Sequence, residues 1–149
     1  MGVEIEKKYL IDEGAFPYKD YPHLELEQGY LSVEPVVRVR KEDDEYYLTY
    51  KGSGHLSREE YNLPLTKEAY EHLIKKADGI VITKNRYLIP YDKYTIELDE
   101  FSGNLSPLLL AEVEFSSIEE ANFFTPPKWF TKDVTNDPAY KNSNLSRSK

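Results

Sequence analysis

With 149 residues, 40% of them hydrophobic and 31% charged, the chain has the size and composition of one soluble globular domain and not of a disordered segment. A net charge of −8 argues against a general nucleic-acid binder, and the absence of cysteine excludes disulfides and thiolate metal sites. No run approaches the length of a membrane span, and acids stand where a signal peptide needs a basic and then an apolar stretch, so the expected location is the cytoplasm.

Val3 to Ile11 alternates charged and apolar residues and predicts the first strand, followed by an irregular connection through Asp12-Glu13-Gly14 and Pro17 to Pro22. Leu24 to Val33 predicts a second strand with Gly29 as a candidate bulge, and Pro35 breaks it before a third, Val36 to Lys41. Glu42-Asp43-Asp44 turns into Glu45 to Lys51, and Gly52-Ser53-Gly54 turns into Ser57 to Pro64. Thr66 caps a helix to about Ala77, with Ala69, Tyr70, Leu73, Ile74 and Ala77 on one stripe. Ile80 to Ile89 and Tyr94 to Phe101 are the next strands, and the eighth runs from about Leu108 to Phe115. Ser117 with Glu120 is a capping box for a short helix, Pro126-Pro127 stops it, and Asp137-Pro138 starts another. Residues after Asn142 read as a fraying tail, about 143–149, and no repeat or second domain is visible in 1–149.

The charged alternation recurs. Glu4, Glu6 and Lys8 share one strand face, as do Arg38 and Arg40, Glu97 and Asp99, and Glu112 and Glu114. One such strand is an ordinary solvated face; many of them predict a closed sheet with a polar lumen. The fold expected is mainly β (α+β), a closed eight-stranded antiparallel β-barrel, or tunnel, with a few helices covering its apolar outer face.

Glu4-x-Glu6-x-Lys8 resembles the ExExK signature of the CYTH superfamily, the triphosphate tunnel metalloenzymes. Arg38-Val39-Arg40, Lys84-Asn85-Arg86, Glu97-Leu98-Asp99 and Glu112-Val113-Glu114 follow in the order that family shows. The resemblance implies a tunnel that binds a triphosphate with divalent metal and usually hydrolyses it. Inorganic, thiamine and RNA triphosphatases and one class of adenylate cyclase belong to it.

The predicted lumen holds the bases Lys8, Arg38, Arg40, Lys51, Lys84 and Arg86 and the acids Glu4, Glu6, Glu60, Glu97, Asp99, Glu112 and Glu114. So many ions in a low-dielectric interior each cost several kcal/mol unless paired or solvated. Metal ions together with a polyanion would balance them. Mg²⁺ or Mn²⁺ takes hard oxygen ligands, and Glu4, Glu6, Glu112 and Glu114 stand on the first and last strands, which adjoin when a barrel closes. They are the predicted metal ligands, with Glu60 and Asp99 as further candidates. Lys8, Arg38, Arg40, Lys51, Lys84 and Arg86 are the predicted triphosphate clamp.

Glu4, Glu6, Lys8 and Tyr30 are the predicted catalytic residues; if the first two strands are adjacent, Tyr30 can hydrogen-bond Lys8 and assist proton transfer to a leaving oxygen. The three histidines are isolated and the tyrosines of strand four read as packing. Trp129 and Phe130 read as a core plug.

The predicted partner is a triphosphate-containing small molecule, with neither nucleic acid nor membrane. The predicted reaction is hydrolysis of inorganic tripolyphosphate. Adenylate cyclase, thiamine or nucleoside triphosphatase, and a polyphosphate-binding barrel without turnover are the alternatives.

Overall fold

The computed structural model describes residues 2–54 and 56–147. Its strands are β1 (Gly2–Ile11), β2 (His23–Val33), β3 (Val36–Glu42), β4 (Glu45–Lys51), β5 (Ser57–Pro64), β6 (Asp78–Tyr91), β7 (Tyr94–Phe101), β8 (Leu109–Glu114) and β9 (Phe130–Asp133). Three short helices are α1 (Lys67–Ile74), α2 (Ile118–Asn122) and α3 (Asn142–Leu145). The order β5-β4-β3-β2-β6-β7-β8-β1 is antiparallel throughout, and β1 returns to β5 to close an eight-stranded barrel. No helix is long and apolar enough to cross a membrane among the described residues.

Opposed residues in an antiparallel pair share a face, so the registers sort each strand into a lumen side and an outer side. Arg86 opposes Asp99, and Glu97 opposes Glu112, on the inside. Ile89 opposes Ile96, and Leu98 opposes Ala111, on the outside. The outer residues of β6, β7 and β8 form an apolar layer with Ile11, Tyr18, Phe115 and Ala121. The connection after β1, α2 and the segment leading to β9 cover it. There Phe16 stacks on Trp129 at 4.3 Å and Phe130 packs on Tyr9 at 4.6 Å, the aromatic plug expected of Trp129 and Phe130.

The outer face of β2 to β4 is covered by α1. Thr66 caps this helix, its Oγ1 accepting from Ala69 N at 3.1 Å. A Cβ at position 29 would lie 2.7 Å from the Ala77 Cβ and 2.8 Å from Ile74 Cδ1, so glycine is what lets α1 and its exit rest on β2. The expected irregularity is present, with a register shift between Gln28 and Tyr30 against β6.

Three features differ from expectation. β6 runs through Pro90 to Tyr91, because the hairpin with Tyr94 keeps pairing beyond the proline. β9, a four-residue strand absent from the predicted set, adds to the edge of β1 beyond β5, with Tyr9 opposite Asp133 and Leu10 opposite Lys132. Its sequence has no apolar alternation of its own.

The expected fraying tail is the third. Ser143, Leu145 and Ser146 are buried, while 148 and 149 lie outside the described residues, as does His55. Leu145 joins Tyr30, Val36, Ile82, Phe101, Leu110 and Val134 in a second apolar cluster. Registers and alternation place the strand residues of that cluster on the lumen side, below the charged positions. The lumen is thus apolar at one end and ionic above it.

Candidate active site

The ionic part of the lumen encloses about 190 Å³ and is lined by seven bases and seven acids. The bases are Lys8, Arg38, Arg40, Lys51, Arg58, Arg86 and Lys141; the acids are Glu4, Glu6, Glu42, Glu60, Glu97, Glu112 and Glu114. Equal numbers would allow simple mutual neutralisation. The pairing is incomplete instead: Glu6, Glu114, Arg38 and Arg40 make no ion pair among the described residues, whereas Glu4, Glu60, Glu97 and Glu112 meet bases.

The acidic side is the β1–β8 seam, where Glu6 opposes Glu114 and Lys8 opposes Glu112. One carboxylate oxygen from each of Glu4, Glu6 and Glu114 falls within 4.8 Å of the others. Glu4 already meets Lys51 Nζ at 2.8 Å and Arg58 Nε at 3.3 Å. Although burial works to raise its pKa, these bases hold it below the usual carboxylate range. Glu6 and Glu114 make no ion pair among the described residues. Burial raises both, and carboxylate neighbours add to it: Glu112 and Glu4 for Glu6, Glu97 and Glu4 for Glu114. Two crowded carboxylates without a cation, beside a third, are a hard-oxygen donor set that fits a divalent ion. Glu112 differs. Burial is outweighed by Lys8, Arg86 and Lys84, which hold it well below its ordinary value, and Arg86 Nη2 is 3.6 Å away.

The basic side is formed by β3 and β6. Arg38 is buried, and its Nε has no hydrogen-bond partner. An orphaned guanidinium N–H in a closed site is costly until an acceptor arrives. Arg40 Nε donates to Gln28 Oε1 at 3.0 Å. Burial, with Arg38 and Arg86 nearby, lowers Arg40 to about 10. Mutual repulsion of this kind favours a bound polyanion.

Arg86 is oriented from behind: Nε and Nη2 donate to the two oxygens of Asp99 at 2.8 and 2.9 Å. Its Nη1 lies 3.5 Å from Glu97.

The predicted site residues thus separate. Glu4, Glu6, Lys8, Tyr30, Arg38, Arg40, Lys51, Glu60, Arg86, Glu112 and Glu114 line one cavity. Lys84 and Asp99 do not line it: both side chains are fully buried, 2.7 Å apart, and Lys84 also donates to Asn142 and lies over the Phe101 ring. Asp99 therefore serves the bases instead of facing the cavity. Glu60 lies 3.6 Å from Lys51.

The expected contact of Lys8 with Tyr30 is absent. β1 adjoins β8, β5 and β9, whereas β2 adjoins β3 and β6, so the premise of adjacent first strands fails. Lys8 Nζ donates to Tyr140 O at 3.0 Å instead, and Tyr30 packs into the apolar end.

Arg58, Asn62 and Glu42 also line the cavity, as do Lys141, Asn142 and Ser143. Arg58 and Asn62 share strand parity with Glu60, a signal available in the sequence. Lys141 comes from a tight turn and had no periodic signal.

A CYTH domain profile matches residues 3–133. The chain is 41% identical over 152 residues to an inorganic triphosphatase of Nitrosomonas europaea, covering 97% of each. It is 40% identical over 153 residues to an inorganic triphosphatase of Acetivibrio thermocellus, covering 99% of this chain and 96% of that one. Among solved structures, an inorganic triphosphatase superposes with a TM-score of 0.72 at 37% identity, covering 100% of this chain and 97% of that one. A Pyrococcus horikoshii protein shares the fold at a TM-score of 0.59 and 24% identity, covering 80% and 83%. Barrel closure, the strand order of the charged pairs and these likenesses agree: the chain belongs to the CYTH domain family.

Proposed function

We propose that the protein hydrolyses inorganic tripolyphosphate to pyrophosphate and phosphate with Mg²⁺ or Mn²⁺. One observation carries the reading: a carboxylate triad without enough cations and a basic wall with an orphaned guanidinium donor face the same enclosed cavity. The relatives named inorganic triphosphatase support it.

Glu4, Glu6 and Glu114 would hold the ion, and Mg²⁺ or Mn²⁺ there would supply charge neutralisation for phosphoryl transfer. Arg38, Arg40 and Arg86 bind phosphoryl oxygens, with Asp99 keeping the Arg86 fork in one orientation. Lys51 and Lys8 add point charges along the chain. In the reaction a water oxygen bonds to the terminal phosphorus, the anhydride P–O bond breaks, and its electron pair leaves with pyrophosphate. One water proton passes to solvent or a lumen carboxylate. Positive charge fixed before the reaction is worth most where negative charge shifts to the leaving group.

The cavity is lined almost entirely by charged and polar side chains, so an organic group would add bulk without an apolar partner. A panel of tripolyphosphate, pyrophosphate, ATP and thiamine triphosphate with Mg²⁺ or Mn²⁺, reading phosphate and cyclic AMP, tests the proposal. Tripolyphosphate should have the highest kcat/KM, and cyclic AMP should be absent. Preference for ATP, or cyclic AMP with stoichiometric pyrophosphate, would overturn it.

A further inference from the structure

The segment after β9 lies beyond residues 3–133, the part matched by the family profile, yet three of its residues line the cavity. It crosses the apolar end of the barrel and is tied down on three sides of the rim. At β1, Val134 N donates to Lys8 O at 2.8 Å and Lys8 N donates to Thr135 Oγ1 at 3.0 Å. At the β4–β5 turn, Lys141 Nζ donates to Gly54 O at 3.3 Å. At the start of β6, Ile80 N donates to Ser146 O at 2.6 Å. Gly79, with φ of +68°, is needed there, because a Cβ would lie 2.2 Å from the Ser146 carbonyl oxygen.

This strap carries a base into the lumen. Lys141 is half-buried, and the one hydrogen bond its ammonium makes among the described residues is to a neutral carbonyl. It makes no ion pair among the described residues, in contrast to Lys51 and Arg86, which are matched by carboxylates. Burial lowers its pKa, and Arg58 and Lys8 add to that against the opposing pull of Glu34.

We infer that Lys141 is a substrate-binding residue, delivered by the C-terminal strap to contact a phosphoryl oxygen at the closed end of the cavity. The inference rests on the reading of that cavity as a triphosphate site. A cation on a neutral acceptor can exchange that bond for a charge-assisted one at little cost, whereas breaking a buried ion pair is expensive. The strap would then be part of the binding surface as well as an end-wall.

The test is binding of inorganic tripolyphosphate by calorimetry, with Mg²⁺ and in EDTA, to wild type, Lys141→Met and Lys141→Arg, alongside thermal melting of each. Lys141→Met should weaken binding about tenfold, and Lys141→Arg should recover most of it. In turnover, the Met variant should raise KM far more than it lowers kcat, as loss of uniform binding does. Unchanged affinity and KM with a lowered Tm would make Lys141 a latch on Gly54 and overturn the inference. Should Lys141→Met unfold, Lys141→Gln and Gly54→Ala decide between the two roles. Gly54 is at φ +125° and a Cβ there would press on the Ser57 carbonyl oxygen, so its replacement disturbs the latch while leaving the base. Loss of affinity in the Gln variant supports binding, and unchanged affinity contradicts it. Wild-type binding without hydrolysis would instead count against the proposed reaction and leave the role of Lys141 readable from affinity alone.

Discussion

The two faces of β6, β7 and β8 are built from interleaved residues of the same strands, yet they do opposite work. Outward, Tyr87, Ile89, Ile96, Leu98, Ala111 and Val113 pack into an aromatic-rimmed layer of the kind that stabilises any sheet. Inward, Arg86, Glu97, Asp99 and Glu112 stand among charges whose desolvation opposes folding. A strand with period two lets one face supply the stability that the other face spends on a preorganised site. If the division holds, mutations should sort cleanly by face, and the residues that fail to sort are the informative ones.

Asp99 should be the sharpest exception and the largest effect. Asp99→Ala removes the carboxylate that holds both Lys84 and Arg86. It leaves buried cations uncompensated, so stability should fall by about 3–5 kcal/mol while tripolyphosphate kcat/KM also falls, as read by denaturant melts and steady-state kinetics. Activity lost with full stability retained would show that the pair is not structural. On the outer face, Leu98→Ala should cost about 2–5 kcal/mol of stability, since Leu98 is fully buried, with kinetics of the folded fraction unchanged. A large kinetic effect there would break the division.

On the lumen face, Arg38→Ala should do the reverse. Its Nε is orphaned, so little native bonding is lost, whereas transition-state stabilisation should drop by about 3 kcal/mol, near two orders of magnitude in kcat/KM. The smallest effect is expected at Gly29→Ala. The added methyl meets Ala77 and Ile74, so overpacking of about 1–3 kcal/mol should appear in Tm, with kcat intact.

The strands were legible because the charged residues repeat with period two while their neighbours are apolar: Arg38-Val39-Arg40 and Glu112-Val113-Glu114 are strands whichever way they face. Closure followed from the first strand meeting the eighth, and of the four carboxylates expected at that seam the structure groups Glu4, Glu6 and Glu114, while Glu112 lies with bases. Strand order was not legible in the same way. β2 pairs with β6 across the long excursion through β3, β4, β5 and α1, so Tyr30 and Lys8 are not on neighbouring strands.

Depth along the lumen was hidden too. Lys84 and Arg86 share a face and differ only by one layer, which sends one to Asp99 and Asn142 and the other to the cavity. The strap was hidden for a further reason. Its polar residues 141–144 resemble a loose end, and the burial of Ser143, Leu145 and Ser146, with the hydrogen bonds to Gly54 and from Ile80, shows that they are held.

The central claim is that the Glu4, Glu6 and Glu114 cluster exists for a divalent ion that works together with the basic wall. The most direct measurement is tripolyphosphate turnover against Mg²⁺ concentration for wild type and Glu114→Gln. The Glu114 carboxylate makes no ion pair among the described residues, so the variant should fold normally, and its half-saturating Mg²⁺ should rise roughly tenfold or more, with no turnover of either protein in EDTA. Turnover in EDTA, or coincident metal-activation curves for the two proteins, would contradict the account.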